Sequence, residues 1–270
     1  MSERAAGRNE EDPAQAAAQR LWHAWRSHET IEGLPASCRP ATRADGYAVQ
    51  SALLALAGGS AYGWKIAATS EAGQRHIGVE GPLGGRLFAD RVHAPGAILS
   101  LAGNRMRVAE VEFAFRIGRA LAPRREEYRT AEVLDAVDAL LPAIEIPDSR
   151  YADFATAGAP QLIADNACAW RFVAGDPAPE TWRTIDLAGY TVRADVGDRY
   201  LRDGVGRNVL GDPRTALAWL ANELSAHGMT LQAGQVVTTG TCLAPLEIRP
   251  GDRVVADFGR LGSVEVGFSD

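Results

Sequence analysis

A ten-residue stretch with strict alternation, Val108–Ile117, most constrains what this chain can fold into. Its odd-numbered positions are all apolar, whereas its even-numbered positions include Glu110, Glu112 and Arg116. Successive side chains of a β-strand point to opposite faces of the sheet. The stretch therefore predicts a strand with one face in the core and with two carboxylates side by side on the other face.

Two neighbouring carboxylates repel each other unless a cation lies between them. Hard oxygen ligands suit Mg²⁺ or Mn²⁺, so a bound divalent ion would relieve the repulsion between Glu110 and Glu112. A third carboxylate, Glu145, lies between Ile144 and Ile146 in an apolar run. Burial of a carboxylate is costly there unless it is paired or bound to metal. The alternative interpretation is a half-buried strand with a solvated polar face.

Apolar residues at helical spacing predict four helices in the chain. The first begins at Asp12-Pro13 and ends near His28, and the others include residues 49–56, 130–141 and 212–228. An aspartate followed by proline is a favourable helix start, and Pro142 is expected to end the third helix. Residues 1–11 are expected to be disordered, and residues 12–60 to form an N-terminal helical section.

Shorter alternating or β-branched stretches predict strands in the remaining chain, at residues 61–66, 170–173, 185–200, 236–240, 253–258 and 263–266. Many short strands joined by glycine-rich turns favour a curled sheet or a barrel-like core. In the first of these strands, Lys65 lies on the face opposite Trp64 and Ile66. The plainest interpretation of a lone strand lysine is that it is solvated.

Composition narrows the class of protein. The chain has 270 residues and a formal net charge of −6, which argues against a nucleic-acid surface. No run approaches the ~18 apolar residues of a membrane span. The three cysteines, Cys38, Cys168 and Cys242, are far apart, which fits a reducing compartment. A cytoplasmic protein without nucleic-acid or membrane partners is therefore expected.

The chain also contains a series of short motifs in a fixed order. They are Gly63-Trp64-Lys65-Ile66 with Thr69-Ser70, Glu110-Val111-Glu112, Leu141-Pro142-Ala143-Ile144-Glu145-Ile146, Asp148-Ser149-Arg150, Ala164-Asp165-Asn166-Ala167, Leu210-Gly211-Asp212-Pro213 with Ala218-Trp219-Leu220-Ala221, and Thr239-Gly240 with Ala244-Pro245 and Gly251-Asp252. From about residue 12 onwards, their order and spacing resemble the 2-keto-4-pentenoate hydratase group of the fumarylacetoacetate hydrolase superfamily.

This resemblance implies an α+β fold, a mixed β-roll fronted by N-terminal helices, with residues 61–270 as one catalytic section. It implies that Glu110, Glu112 and Glu145 bind one Mg²⁺ or Mn²⁺ ion, and that Lys65 is catalytic beside the bound substrate. It also implies a homo-oligomer that acts on a small 2-hydroxydienoic or 2-oxo acid. The substrate-binding residues expected from the resemblance are Thr69, Leu83, Asp165, Asn166, Cys168 and Thr241.

The implied reaction adds water to a 2-hydroxy-2,4-dienoate and gives a 4-hydroxy-2-oxo acid by way of a metal-stabilised dienolate. A partly buried Lys65 beside a cation would have a lowered pKa, and it would orient the substrate or move a proton. Two departures from the hydratases affect the pocket, because Leu83 and Gly84 replace an aspartate and an aromatic residue and Cys168 replaces a serine. Both make the pocket less polar, which predicts an apolar substrate tail.

Other functions stay open at this point. A metal-dependent 2-oxo acid decarboxylase or keto–enol tautomerase would tolerate Leu83 better, since neither needs a positioned water. A non-catalytic partner subunit is disfavoured by the intact lysine and carboxylates. A carbon–carbon hydrolase is disfavoured because no histidine has a glutamate at H-x-x-E spacing. A serine hydrolase is disfavoured because the sequence has no G-x-S-x-G motif. A zinc site is disfavoured because no His/Cys cluster has the spacing of zinc ligands.

Overall fold

The computed structural model describes residues 12–270. The prediction of disorder for residues 1–11 lies outside the described residues. Within them the α-helices are α1 (Pro13–Ser27), α2 (Arg43–Leu56), α3 (Glu71–His76), α4 (Thr130–Leu134), α5 (Ala159–Ala164) and α6 (Pro213–Ala226). None of these helices is both long and apolar enough to cross a membrane.

Local capping explains where the two N-terminal helices begin. The Asp12 side chain accepts a hydrogen bond from the Ala14 N–H, and proline occupies the first turn of α1. Thr42 and Asp45 form a reciprocal capping box at the start of α2. The helices predicted near residues 12–28, 49–56 and 212–228 are confirmed. The division into sections 12–60 and 61–270 stays a prediction.

Thirteen strands are present in the described part of the chain. They are β1 (Ala61–Ala67), β2 (Leu83–Phe88), β3 (Val92–His93), β4 (Ile98–Ser100), β5 (Val108–Ile117), β6 (Val137–Ile146), β7 (Arg171–Ala174), β8 (Thr191–Val196), β9 (Tyr200–Val205), β10 (Val236–Thr241), β11 (Leu246–Glu247), β12 (Arg253–Asp257) and β13 (Ser263–Ser269). The strand predicted over Val108–Ile117 is confirmed, and β5 begins and ends at the predicted residues.

The strands form two sheets of mixed direction. The larger has the order β2-β1-β10-β5-β6-β7-β3, with β11 also paired to β5, and the smaller has the order β4-β13-β12-β8-β9. Although β2 and β3 lie at opposite ends of the larger sheet, only residues 89–91 separate them in the chain. The sheet must therefore curl to bring its two ends together. The predicted α+β fold, a mixed β-roll preceded by N-terminal helices, is confirmed.

The helix predicted over residues 130–141 is wrong in its second half. α4 ends at Leu134, and β6 begins at Val137 and continues through Pro142. The run from Val137 to Leu141 is buried at four of its five positions, and in such a run apolar spacing does not distinguish a helix from a strand. The Pro142 carbonyl accepts a hydrogen bond from Gly175, just beyond the β6–β7 pairing. Proline has no N–H to return a bond to Gly175, and it is tolerated here because the β6–β7 pairing ends at Ala143.

Candidate metal centre and active-site cavity

The register of two central strands assembles three carboxylates. β5 and β6 are antiparallel, and Glu110 pairs directly with Glu145, while Glu112 follows on the same face of β5. One carboxylate oxygen from each of the three lies within 4.8 Å of the others. Glu112 and Glu145 are fully buried, and Glu110 is half-buried. We call Glu110, Glu112 and Glu145 the carboxylate cluster.

Buried oxygens of this cluster lack partners. Glu112 Oε1 and Glu145 Oε2 have no hydrogen-bond partner among residues 12–270. Buried carboxylate oxygens are normally satisfied, because leaving one unpaired costs several kcal/mol. Three converging oxygen donors with unsatisfied capacity fit a hard divalent cation such as Mg²⁺ or Mn²⁺.

The second oxygen of Glu112 is held by the neighbouring strand. Glu112 Oε2 accepts a hydrogen bond from the Thr238 hydroxyl and another from the Gly240 N–H at 2.7 Å. Gly240 has a φ of +96°, and a Cβ there would lie 2.1 Å from Thr69 Oγ1. Glycine is therefore required at the point where β10 turns its amide toward Glu112.

Burial shifts the acidity of the cluster strongly. It raises the pKa of Glu112 to about 7, and the adjacent Glu110 carboxylate adds to this rise. Burial also raises the pKa of Glu110 and lifts the pKa of Glu145 well above its usual range. A bound cation would oppose these shifts, because it favours the ionised carboxylates.

Lys65 of β1 completes the charged floor of the site. Its side chain is 3% exposed, and Nζ lies 3.1 Å from Glu145 Oε1 and donates to the Ala167 carbonyl at 3.0 Å. The solvated interpretation is therefore wrong. The lowered pKa expected for Lys65 beside a bound cation stays a prediction, and the protein groups alone act in the opposite direction. Burial lowers this pKa, but the attraction of Glu145 and of the other two carboxylates outweighs burial and raises it.

An unusual turn presents the Ala167 carbonyl to Lys65. Three consecutive residues without a glycine, Asn166, Ala167 and Cys168, have φ of 51°, 49° and 65°. The left-handed region costs a non-glycine residue roughly 1–2 kcal/mol, so the surroundings must hold this turn in place. Gly85 of β2 packs against it so closely that a Cβ there would lie 1.9 Å from the Asn166 carbonyl oxygen.

A buried ion pair holds the start of the turn. Asp165 Oδ1 pairs with the Arg150 guanidinium, and Asp165 Oδ2 accepts hydrogen bonds from the Ser149 hydroxyl at 2.9 Å and the Arg150 N–H at 3.0 Å. The same guanidinium lies 4.0 Å from the ring centre of Trp25 in α1. Burial raises the pKa of Asp165, although the Arg150 charge opposes the rise. We call this group the Arg150–Asp165 clamp.

A cavity of about 750 Å³ opens above the carboxylate cluster. Its floor includes Lys65 and Glu110, and its wall is largely apolar. The remaining lining residues are Ile66, Ala67, Ala68, Thr69, Ser70, Ala72, Gly73, His76, Ile77, Met106, Val108, Pro147, Phe154, Ala167, Cys168, Asn208, Gly240, Thr241, Leu243, Ala244 and Pro245. The exposed rim includes Ser70, His76 and Asn208. A cavity with an ionic floor and an apolar wall is suited to a small acid with an apolar tail.

The structure brings part of the predicted substrate-binding set to this cavity. Thr69, Cys168 and Thr241 line it. Leu83, Asp165 and Asn166 do not, because Leu83 is fully buried in the core, Asp165 belongs to the clamp, and Asn166 faces the Arg86 amide of β2. The predicted loss of pocket polarity through Leu83 therefore does not occur at the cavity wall. Cys168, the other departure, does line the wall, so its part of the expectation stays a prediction.

Sequence reasoning missed several residues that shape the site. Thr238, which holds Glu112, occupies an interior position of β10, where the sequence does not alternate and so does not show its face. Gly240 was noticed only as part of a motif. Ile77 directly follows α3 and Phe154 begins a three-residue 3-10 helix, and both segments are too short for a periodic pattern to locate these side chains.

Three comparisons with known proteins agree with this geometry. Residues 86–268 match the family described as Fumarylacetoacetate (FAA) hydrolase C-terminal. The chain is 31% identical over 265 residues to a 2-keto-4-pentenoate hydratase from Paraburkholderia phymatum, which covers 97% of this chain and 100% of that protein. It is 33% identical over 262 residues to a 2-hydroxyhexa-2,4-dienoate hydratase from Comamonas testosteroni, covering 93% and 96%.

A solved structure is similar in fold and in sequence. The 4-oxalocrotonate decarboxylase from Pseudomonas putida G7, complexed with magnesium and adipate, superposes with a TM-score of 0.84. It is 28% identical to this chain, and the match covers 94% of this chain and 97% of the decarboxylase. The two hydratases and the decarboxylase are thus each similar to the chain over nearly its whole length.

Proposed function

The chain belongs to the fumarylacetoacetate hydrolase family, and we propose that it is a metal-dependent hydratase. The enzyme adds water to a 2-hydroxy-2,4-dienoate and gives a 4-hydroxy-2-oxo acid. The hydratases similar to it over 97% and 93% of its length support this reaction. The observation that carries the proposal is the carboxylate cluster with its unpaired oxygens, placed beside Lys65 at the floor of the cavity.

The charges of the floor favour a doubly charged cation. Three carboxylates and the Lys65 ammonium leave a formal charge of minus two, which one divalent ion would neutralise. We propose Mg²⁺ or Mn²⁺, since all three ligands are carboxylates, and the similar decarboxylase is complexed with magnesium. When bound, the ion would supply Lewis-acid stabilisation of negative charge on the substrate's 2-oxygen.

Lys65 is proposed to bind the substrate and to handle a proton. An ammonium group has three N–H donors, and two of them face Glu145 and Ala167. The third is available to a substrate carboxylate or to a transferred proton, because Lys65 lines the cavity. Thr69, Thr241 and Cys168 are proposed to contact the substrate beside it. Burial raises the pKa of Cys168 to about 12, so this thiol stays neutral and acts as a weakly polar wall.

The reaction is balanced in two steps. In the first, the enol proton of the substrate leaves and a proton is added at C5, which gives a 2-oxo-3-enoate. In the second, the oxygen of water bonds to C4 and a proton is added to C3. The apolar wall keeps bulk water away from the reacting atoms and strengthens the electrostatic effect of the charged floor.

A decarboxylase is the second candidate, because a 4-oxalocrotonate decarboxylase is similar over nearly the whole chain. Its substrate carries a second carboxylate. Among the described residues that line the cavity, the side chains of basic type are Lys65 at the floor and His76 at the exposed rim. The absence of an arginine from this lining disfavours a dicarboxylate and favours hydration of a monocarboxylate.

Product analysis tests the proposed reaction. The Mg²⁺-loaded enzyme is incubated with 2-hydroxypenta-2,4-dienoate, and the products are followed by proton NMR. Formation of 4-hydroxy-2-oxopentanoate is expected. In deuterium oxide, uptake of deuterium at C5 without any hydrated product would support the tautomerase instead. In a separate incubation with 4-oxalocrotonate, release of CO₂ without any hydrated product would support the decarboxylase.

Two further features stay proposals. We propose a homo-oligomer, on the basis of the family resemblance. We propose a cytoplasmic location, which the three cysteines support, since all three are free and buried among the described residues. Sedimentation analysis and cell fractionation test these two proposals.

A further inference from the structure

The cavity is larger than a five-carbon acid requires. Its volume of about 750 Å³ lies within the range of ~300–1,000 Å³ that is typical of drug-sized ligands. A pentadienoate held by its carboxylate and 2-oxygen at the floor would leave much of this space to water. The unused space lies on the side where C5 of the bound acid would project, because the floor closes the other side with Lys65 and the carboxylate cluster.

The wall facing this space is apolar and comes from separate parts of the chain. Val108 lies two residues before Glu110 on the same face of β5, so the apolar wall begins directly beside the metal site. Ile77 and Phe154 continue it toward the rim, and both are half-buried. The Phe154 ring packs edge-on against His76, with 5.9 Å between ring centres. Leu243, which is buried, closes the wall beyond β10.

The middle of the wall offers no partner to a charged tail. Its larger apolar side chains include Ile77, Met106, Val108, Phe154 and Leu243, all of them half-buried or buried. Among the described lining residues, the basic side chains other than Lys65 at the floor are limited to His76, which is exposed at the rim. A carboxylate placed against the apolar side chains would therefore lose hydration without gaining a buried ion pair, which is strongly unfavourable. An uncharged tail would instead gain by covering the exposed part of Ile77 and Phe154.

We propose that the substrate is a 2-hydroxy-2,4-dienoate with an uncharged apolar substituent at C5 that is larger than methyl, and that Ile77, Phe154 and Leu243 select this substituent. The inference rests on the proposed function, because it takes the dienoate as the reacting group. It goes further by naming the class of tail and the residues that recognise it. Each methylene buried against this wall should improve binding about fourfold.

A binding series tests the tail without requiring turnover. Calorimetry of the Mg²⁺-loaded enzyme with 2-oxobutanoate, 2-oxohexanoate and 2-oxooctanoate should show affinity rising about fourfold per methylene. 2-Oxoadipate, which carries a charged tail, should bind more weakly than 2-oxohexanoate. Affinity that is constant or falls with tail length, or tighter binding of 2-oxoadipate, would overturn the inference.

A matched pair of variants locates the recognition. Ile77→Trp places a larger side chain in the space for the tail. The ratio of the affinity for 2-oxooctanoate to the affinity for 2-oxobutanoate should fall at least tenfold. Ile98→Trp makes the same exchange at a residue that is 74% exposed and does not line the cavity, and it should keep the wild-type ratio. An unchanged ratio in Ile77→Trp, or an equal loss in both variants, would contradict the assignment.

Kinetics separates the inference from the proposed function. The kcat/KM for hydration is measured for dienoates with hydrogen, methyl or propyl at C5, and the propyl compound should exceed the unsubstituted one by roughly fiftyfold. Hydration that is fastest on the unsubstituted dienoate would overturn the tail inference and leave the hydratase standing. If the binding series shows the tail preference but no dienoate is hydrated, the hydratase fails and the recognition of an apolar tail stands.

Discussion

Two buried charged groups lie close together in this molecule, and they differ in how well they are satisfied. In the Arg150–Asp165 clamp, one positive and one negative charge meet, and both carboxylate oxygens of Asp165 have partners. In the carboxylate cluster, three negative charges face one lysine, and buried oxygens of Glu112 and Glu145 lack hydrogen bonds from residues 12–270. Apart from the half-buried Glu110, the charged side chains of both groups are buried.

This difference indicates that the clamp has a structural role and that the carboxylate cluster has a functional one. A balanced, fully bonded pair such as the clamp holds the backbone, here a left-handed turn that the local sequence does not favour. An unbalanced group such as the carboxylate cluster is unfavourable alone, and its persistence indicates a ligand that completes it. Converging carboxylates with unpaired buried oxygens therefore identify the functional site better than burial or charge alone.

The largest effect is expected from Lys65→Met. With saturating Mg²⁺, kcat for the dienoate should fall by ~10²–10⁴-fold, the usual contribution of a group that moves a proton. Magnesium affinity should be kept or increased, because the variant removes a positive charge 3.1 Å from Glu145. Steady-state kinetics and calorimetry measure the two quantities. Wild-type kcat/KM in this variant would make Lys65 purely structural.

The clamp should respond in stability. Asp165→Asn leaves the Arg150 guanidinium buried without its countercharge, which typically costs ~3–5 kcal/mol in free energy of unfolding. Asp203→Asn is the matched control, because it breaks the Arg193 pair, whose side chains are 61% and 68% exposed, and should cost under ~1 kcal/mol. Chemical denaturation compares them. Equal losses in the two variants would remove the distinction drawn for the clamp.

Smaller effects should follow from pH in the metal-depleted protein. The Glu112 carboxyl has an ordinary pKa of 4.5 and a folded pKa of about 7, so the folded state binds more protons between these values. The contribution of Glu112 to the free energy of unfolding is therefore fully present below pH ~4.5 and is lost as the pH rises through about 7. Denaturation at pH 5 and pH 8 should show this loss in the wild type and a smaller one in Glu112→Gln. Equal losses would contradict the raised pKa.

The sequence predicted the site more completely than it predicted the cavity. Alternation alone placed Glu110 and Glu112 on one face of β5, because a strand has a period of two. It could not pair Glu110 with Glu145, since register depends on contacts between strands that are distant in the chain. Lys65 was identified by resemblance, whereas its burial and its bond to Ala167 required the fold.

The failures have physical reasons of the same kind. The run Val137–Leu141 is buried at every position except Asp138, and its apolar residues fit either period, so the sequence predicts a helix where a strand forms. The turn at Asn166 contains no glycine to signal its positive φ. Ile77 and Phe154 come from segments too short for a periodic pattern, so only the folded chain shows that they share one wall.

Calorimetric titration of the metal-depleted protein with Mg²⁺ tests the central claim most directly. The unsatisfied carboxylate cluster predicts one ion per chain, and Glu112→Gln should weaken its binding at least tenfold, since it removes a full negative charge from the ligand set. Asp203→Asn, which removes an exposed charge elsewhere, should bind Mg²⁺ like the wild type. Unchanged Mg²⁺ affinity in Glu112→Gln would contradict the assignment of these carboxylates as the metal site.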